Sequence, residues 1–175
     1  MDETDGAVSA SDRTSNNNHG QLGDMSGDEW QLSGAAIGDV SASDYAGTIE
    51  LIDVLGSITV DNISGLPTGV QTYRVDGAPN VTAGPPGLAQ LSLERYFGVF
   101  VVGGSSPTYD FELDYSGQGG IVTETDLGLA RREDNADTSW EDANAALDEG
   151  ADTLTLTGEN GTEYIVGSSG SDNNL

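Results

Sequence analysis

Along most of this chain apolar and polar residues alternate with a period of two. Ile49 and Leu51 share a parity, as do Ile58 and Val60 in Ser57–Asn62. Tyr109, Phe111, Leu113 and Tyr115 alternate strictly with Asp110, Glu112 and Asp114, which predicts a strand with one wet face. Val70–Val75 is rich in β-formers, and Tyr96–Val102 is apolar enough for a central strand buried on both faces. Trp30 with Leu32, Leu127 with Leu129, Leu154 with Leu156, and Tyr164–Val166 complete the series. Turn signals separate these bursts: Leu66–Gly69, Asp76-Gly77, Pro85-Pro86-Gly87, Gly103-Gly104, Gly119-Gly120 and Gly158–Gly161. Trp140–Gly150 alone has a helical look, but its apolar residues are mostly alanine and it is short, so a loop with one helical turn is expected. About nine short strands with regular turns predict an all-β fold, an antiparallel β-sandwich of immunoglobulin-like or jelly-roll-like type.

The pattern begins only at Glu29. Residues 1–28 hold just Val8 and Leu22 from the Val/Ile/Leu/Phe set, amid Asp, Ser, Asn and Gly, too little apolar surface to offset chain entropy. The expected organisation is a flexible acidic leader (1–28), a sandwich domain (29–167) and a polar tail (168–175).

Charge narrows the function classes. The 175 residues include 30 acids, five arginines, one histidine and no lysine, for a net charge of −25. That sign argues against nucleic acid and anionic membrane as partners, since both require a basic surface. No apolar run is long enough for a membrane span, so no membrane insertion is expected. With no cysteine there is neither disulfide framework nor thiolate chemistry. His19 falls in the leader, which removes a folded Ser-His-Asp triad and histidine zinc sites, and no nucleophile elbow, P-loop or H-E-x-x-H motif occurs. Among 30 acids some pair will have glycosidase spacing by chance, so a glycoside hydrolase is the weakest alternative and a noncatalytic protein is expected.

Three segments carry a family resemblance. Tyr73–Asn80 looks like a strand followed by a D-x-P-N corner. Leu93–Val99 is similar to an x-x-R-Y-W-x-I strand, with Phe97 at the tryptophan position. The third runs from Leu127–Arg132 through Asp134-Asn135 and Thr138–Trp140 to Thr162–Gly167. Together they resemble a β-sandwich repeat module of large secreted and cell-surface proteins of marine or halophilic, Bacteroidota-like bacteria. The resemblance covers about Ser57 to Gly167 and implies an extracellular or cell-surface structural or adhesive unit.

The acidity has two physical readings. Acids spread from Asp2 to Asp172, without lysine, suit a whole surface kept hydrated in brine, where salt screens the mutual repulsion. The other reading is calcium, the one cofactor the sequence raises. Asp134, Asn135, Asp137, Glu141 and Asp142 offer hard oxygen ligands within nine residues, though not in EF-hand order. A solvated acidic loop is the plainer account. Asp110, Glu112 and Asp114 form a second acidic set, expected anyway as the outward residues of a strand. A calcium-dependent carbohydrate-binding module is the main alternative function. Its stacking platforms would come from Trp30, Tyr45, Tyr73 and Trp140, although a tryptophan in a small core more often anchors packing. Self-association through an edge strand and binding of surface glycans are the two partner classes left open. The sequons at Asn62, Asn80 and Asn160 all fall at or near turns.

Overall fold

The computed structural model describes residues 9–10, 20–21, 38–44, 48–52, 56–133 and 137–175. The strand expected at Trp30–Leu32, together with His19, Tyr45, Asp134 and Asn135, lies outside them, as does most of the leader. The chain forms two compact units, Met1–Gly34 and Ala35–Leu175. In the first, β1 (Ser9–Ala10) pairs antiparallel with β2 (Gly20–Gln21).

The second unit is a sandwich of two antiparallel sheets. Its strands are β3 (Val40–Asp44), β4 (Ile49–Leu51), β5 (Ser57–Asp61), β6 (Gly69–Asp76), β7 (Gln90–Leu91) and β8 (Arg95–Val102). They continue as β9 (Tyr109–Asp114), β10 (Leu127–Arg132), β11 (Glu141–Asp142), β12 (Ala146–Asp148), β13 (Thr153–Glu159) and β14 (Glu163–Ser168). Seven of them form one sheet, ordered β11-β10-β14-β8-β6-β3 with β7 paired to β14. Five form the other, ordered β12-β13-β9-β5-β4. The sandwich therefore has 12 described strands where about nine were expected. The added ones are β3, with one large apolar residue, and β7, β11 and β12, each too short to show a period.

Trp140–Gly150 is thus not a loop with a helical turn. β11 and β12 occupy it, and Ala143, Ala145 and Leu147 pack against the main core. Those three follow a period of two, which their small side chains made hard to distinguish from a helical stripe. The passage from β11 to β12 carries the chain from one sheet to the other at one side of the sandwich, and β3 to β4 does so at the opposite side. Such sheet-switching corners leave only short edges, which limits open pairing.

The seven-stranded sheet is buried on both faces. Phe97, Val99, Leu129, Tyr164 and Val166 point into the intersheet core with Ile58, Val60, Phe111, Leu113 and Leu154 of the five-stranded sheet. Their chain neighbours Tyr96, Ala130 and Ile165 point outward into a second cluster with Leu88, Leu91 and Trp140. That cluster is roofed by the connection between β6 and β8, pinned where Trp140 Nε1 donates to the Val81 carbonyl (2.8 Å). Gly98 belongs to the same outer face, and a Cβ there would run into the Tyr73 ring lying across it. Residues 168–175 are packed on the sandwich. The Asn173 amide accepts from the Val122 and Thr123 N–H groups (2.6 and 2.9 Å) and donates to the Thr123 carbonyl and Ser168 Oγ (2.9 and 2.8 Å). Leu175 reaches the main core. No helix among the described residues is long and apolar enough to cross a membrane.

Candidate functional site

The densest polar chemistry lies at the β10–β14 end of the outer face. In β10, Leu127 and Leu129 point into the core, so Ala130 and Arg132 point outward. The antiparallel register sets Arg132 directly opposite Glu163 of β14. Arg132 Nε donates to Glu163 Oε2 at 2.6 Å and Nη1 donates to Asn80 Oδ1 at 2.6 Å. The guanidinium lies over the Trp140 ring, 4.2 Å from its centroid, and 5.7 Å from that of Tyr96. Both charged side chains are nearly inaccessible, at 0% and 6% of full exposure. Tyr73 donates to Glu163 Oε1 (3.3 Å). Burial, and then the Glu163 charge, push the Tyr73 and Tyr96 hydroxyls above their ordinary range.

Arg131, one residue earlier, turns the other way. Its Nη1 donates to Glu159 Oε2 at 2.6 Å, a bond that holds its pKa above the ordinary arginine value. Below this pair the Tyr109 and Tyr164 hydroxyls meet at 2.7 Å, Tyr109 also donates to the Gly161 carbonyl, and the Tyr164 ring stacks on Phe111 at 4.2 Å. Burial is the main cause raising both phenols.

Over the two arginines opens a polar hollow of about 280 Å³, lined also by Glu133, Asp137, Ser139, Glu141 and Asn160. This is where the expected calcium ligands fall. Asp134 and Asn135 are outside the described residues. Asp137 lines the hollow, with Oδ2 accepting the Glu133 N–H (2.8 Å). Glu141 lines it too, but Asp142, the next residue in β11, takes the opposite face and accepts the Asn144 N–H (2.8 Å). Among the described residues no three acidic or histidine side chains converge to hold a metal. In the second acidic set, Asp110 accepts from Asn62 Nδ2 and the Gly158 N–H (both 2.8 Å), and Asp114 from the Ser116 N–H (2.8 Å). Donors at the loops thus relieve the repulsion expected along β9. Of the sugar-stacking candidates, Trp140 and Tyr73 are buried, at 3% and 6% exposure, and act as packing anchors. Trp30 and Tyr45 lie outside the described residues.

Sequence reasoning missed the Arg132 network. One signal pointed to it: two of the chain's five arginines stand side by side in an apolar strand. No family model matches this chain, and no curated protein or solved structure does either. Fold and site together define an acidic antiparallel β-sandwich whose described arginines are all ion-paired.

Proposed function

We propose that this is a noncatalytic structural or adhesive β-sandwich module of a secreted or cell-surface protein, adapted to salt-rich surroundings. The supporting observation is where the positive charge goes. All four described arginines (Arg74, Arg95, Arg131, Arg132) are ion-paired, and three have side chains no more than 8% exposed. Cations turned inward leave the outer surface to carboxylates, which hold water and counterions and keep identical units apart until salt screens them. The likeness of Tyr73–Asn80, Leu93–Val99 and Leu127–Gly167 to repeat modules of marine and halophilic surface proteins points the same way.

The alternative, calcium-dependent glycan binding, draws on the hollow that Asp137 and Glu141 line together with the arginines. One experiment separates the two readings: thermal unfolding across a monovalent salt series, and separately with millimolar calcium or EDTA at fixed ionic strength. A midpoint that climbs steadily with NaCl or KCl and ignores calcium supports the structural reading. A sharp rise with calcium, reversed by EDTA, means native-state ion binding by mass action and moves glycan recognition ahead.

A further inference from the structure

At one end of the sandwich two loops, 62–68 and 103–108, are fastened together. Ser64 Oγ meets Thr108 Oγ1 at 2.7 Å, the Ser64 N–H donates to the Thr108 carbonyl (2.8 Å), and the Ser105 N–H donates to the Gly65 carbonyl (2.8 Å). Thr68 ties the base by donating from both N and Oγ1 to the Val102 carbonyl (2.8 and 3.1 Å). The loops are therefore a rigid platform, and at its apex stands Leu66. Leu66 is 91% exposed, the most exposed large apolar side chain described, and its φ is +53°. Both features are costly. Glycine or asparagine takes that backbone conformation more easily, and a polar residue would suit the exposure. Exposure alone would be ordinary for a single leucine, but exposure together with a left-handed backbone in a bonded loop pair marks this position as one where local preference has been overridden.

The charge pattern indicates what it meets. Neither 62–73 nor 96–109 contains a charged residue, in a chain of net charge −25. For a second copy of the same acidic body, a tip whose nearest carboxylates in sequence, Asp61 and Asp110, flank the neutral stretches and are bonded back by Asn62 is the place of least repulsion. A two-fold contact there is self-complementary, stacking Leu66 of each copy on the other, with Pro67 and Pro107 beside it. The loop hydroxyls of Ser64 and Thr108 already satisfy each other, so they lose little when water leaves.

We propose that the Leu66 loop pair is a self-association surface through which two copies of this chain meet tip to tip. A tip of this size is smaller than a stable-dimer interface, so the contact is weak in isolation and gains force where many copies are held together. It extends the reading of the protein as a structural module, yet the two are tested separately: the salt dependence of unfolding reports on the acidic coat, the mass of the particle on Leu66.

The experiment is sedimentation equilibrium over a wide concentration range at about 1 M NaCl, where screening reaches only about 3 Å, with Leu66→Gly beside the wild type. The expected result is a mass that rises with concentration and an association constant at least about tenfold lower for Leu66→Gly. The variant's unfolding midpoint should be equal or higher, because glycine relieves the left-handed backbone. Since the chain has no cysteine, Ser106→Cys should cross-link into a disulfide dimer under mild oxidation, and Ser116→Cys, beyond the far end of β9, should not. A particle that stays monomeric at every concentration, an association untouched by Leu66→Gly, or cross-linking through Ser116→Cys alone would each overturn the proposal.

Discussion

Replacing Arg132 with methionine removes a buried charge while keeping a side chain of similar length. Glu163, 6% exposed, then keeps only the Tyr73 hydroxyl at 3.3 Å, and Asn80 Oδ1 loses its donor. Breaking a buried ion pair by deleting one partner costs about 3–5 kcal/mol. Loss of the guanidinium stacked at 4.2 Å on Trp140 adds about 1–2 kcal/mol. The methionine chain still covers Trp140 and returns about 1 kcal/mol. The net is about 4 kcal/mol, and at about 3 °C per kcal/mol for a unit of this size the midpoint should fall by about 12 °C. Circular dichroism melts at constant salt measure it, backed by urea titrations with an unchanged slope. Glu163→Gln keeps an acceptor for Tyr73 and takes the countercharge from the guanidinium instead. The double variant should then cost about 2 kcal/mol less than the sum of the singles, because neither charge remains to be stranded. Arg132→Lys should fall between, since a point charge cannot serve Glu163, Asn80 and the Trp140 face together. A drop below about 3 °C for Arg132→Met, or strict additivity in the cycle, would refute the claim that this pair anchors the outer face.

Three further outcomes are expected. The buried phenols of Tyr109, Tyr164 and Tyr73 stay neutral in the folded state above the ordinary 10.0, and Tyr115 is pushed up to about 12, chiefly by burial and then by Glu124. Because the unfolded chain loses those protons first, stability should hold below pH about 10 and fall as pH rises through 12, with 295 nm absorbance showing phenolate appearing as the fold melts. Gly98→Ala should lower stability by about 2–3 kcal/mol in a denaturant titration, since its methyl group occupies the space of the Tyr73 ring. Asn173→Ala should cost about 2–3 kcal/mol by stranding the Val122 and Thr123 N–H groups, whereas exposed Asn174→Ala should change stability by less than about 0.5 kcal/mol in the same titration.

What could be read in advance follows from how strongly each segment commits to one face. β9 alternates Tyr, Phe and Leu with acids, and its burial alternates in step. β8, apolar throughout, takes the central place its composition asks for between β14 and β6. The stretch holding β11 and β12 shows no parity because Ala143 and Ala145, which lie between the two strands, have too little bulk to mark one; the neighbouring sheets decide its conformation. β7 and β11 have two residues each and exist only because a longer strand lies beside them. The site was hidden for another reason. Arg132 and Glu163 are 31 positions apart, and only the pairing of β10 with β14 makes them neighbours. Conversely, Glu141 and Asp142 are adjacent in sequence, and the pleat of β11 sends them to opposite faces.

The lysine-free composition and the Arg132 network then have one explanation. A cation on the surface of this protein would pair with its acidic coat at little gain, since exposed ion pairs contribute about 0–1 kcal/mol. A buried guanidinium is different, because it must satisfy several acceptors at fixed angles, and among the described residues only the Arg132–Glu163 pair is buried on both sides. Arg74 does so by forking onto both oxygens of Asp76 (2.8 and 3.2 Å), and Arg95 by reaching Glu94 (2.9 Å) and the Gly117 carbonyl (3.3 Å). Arg132 does so by dividing its fork between Glu163 and Asn80 while lying over the Trp140 ring. Lysine, with one compact and strongly hydrated ammonium, fits none of these positions. The described arginines thus stand where the fold uses a planar fork, a role that lysine does not fill.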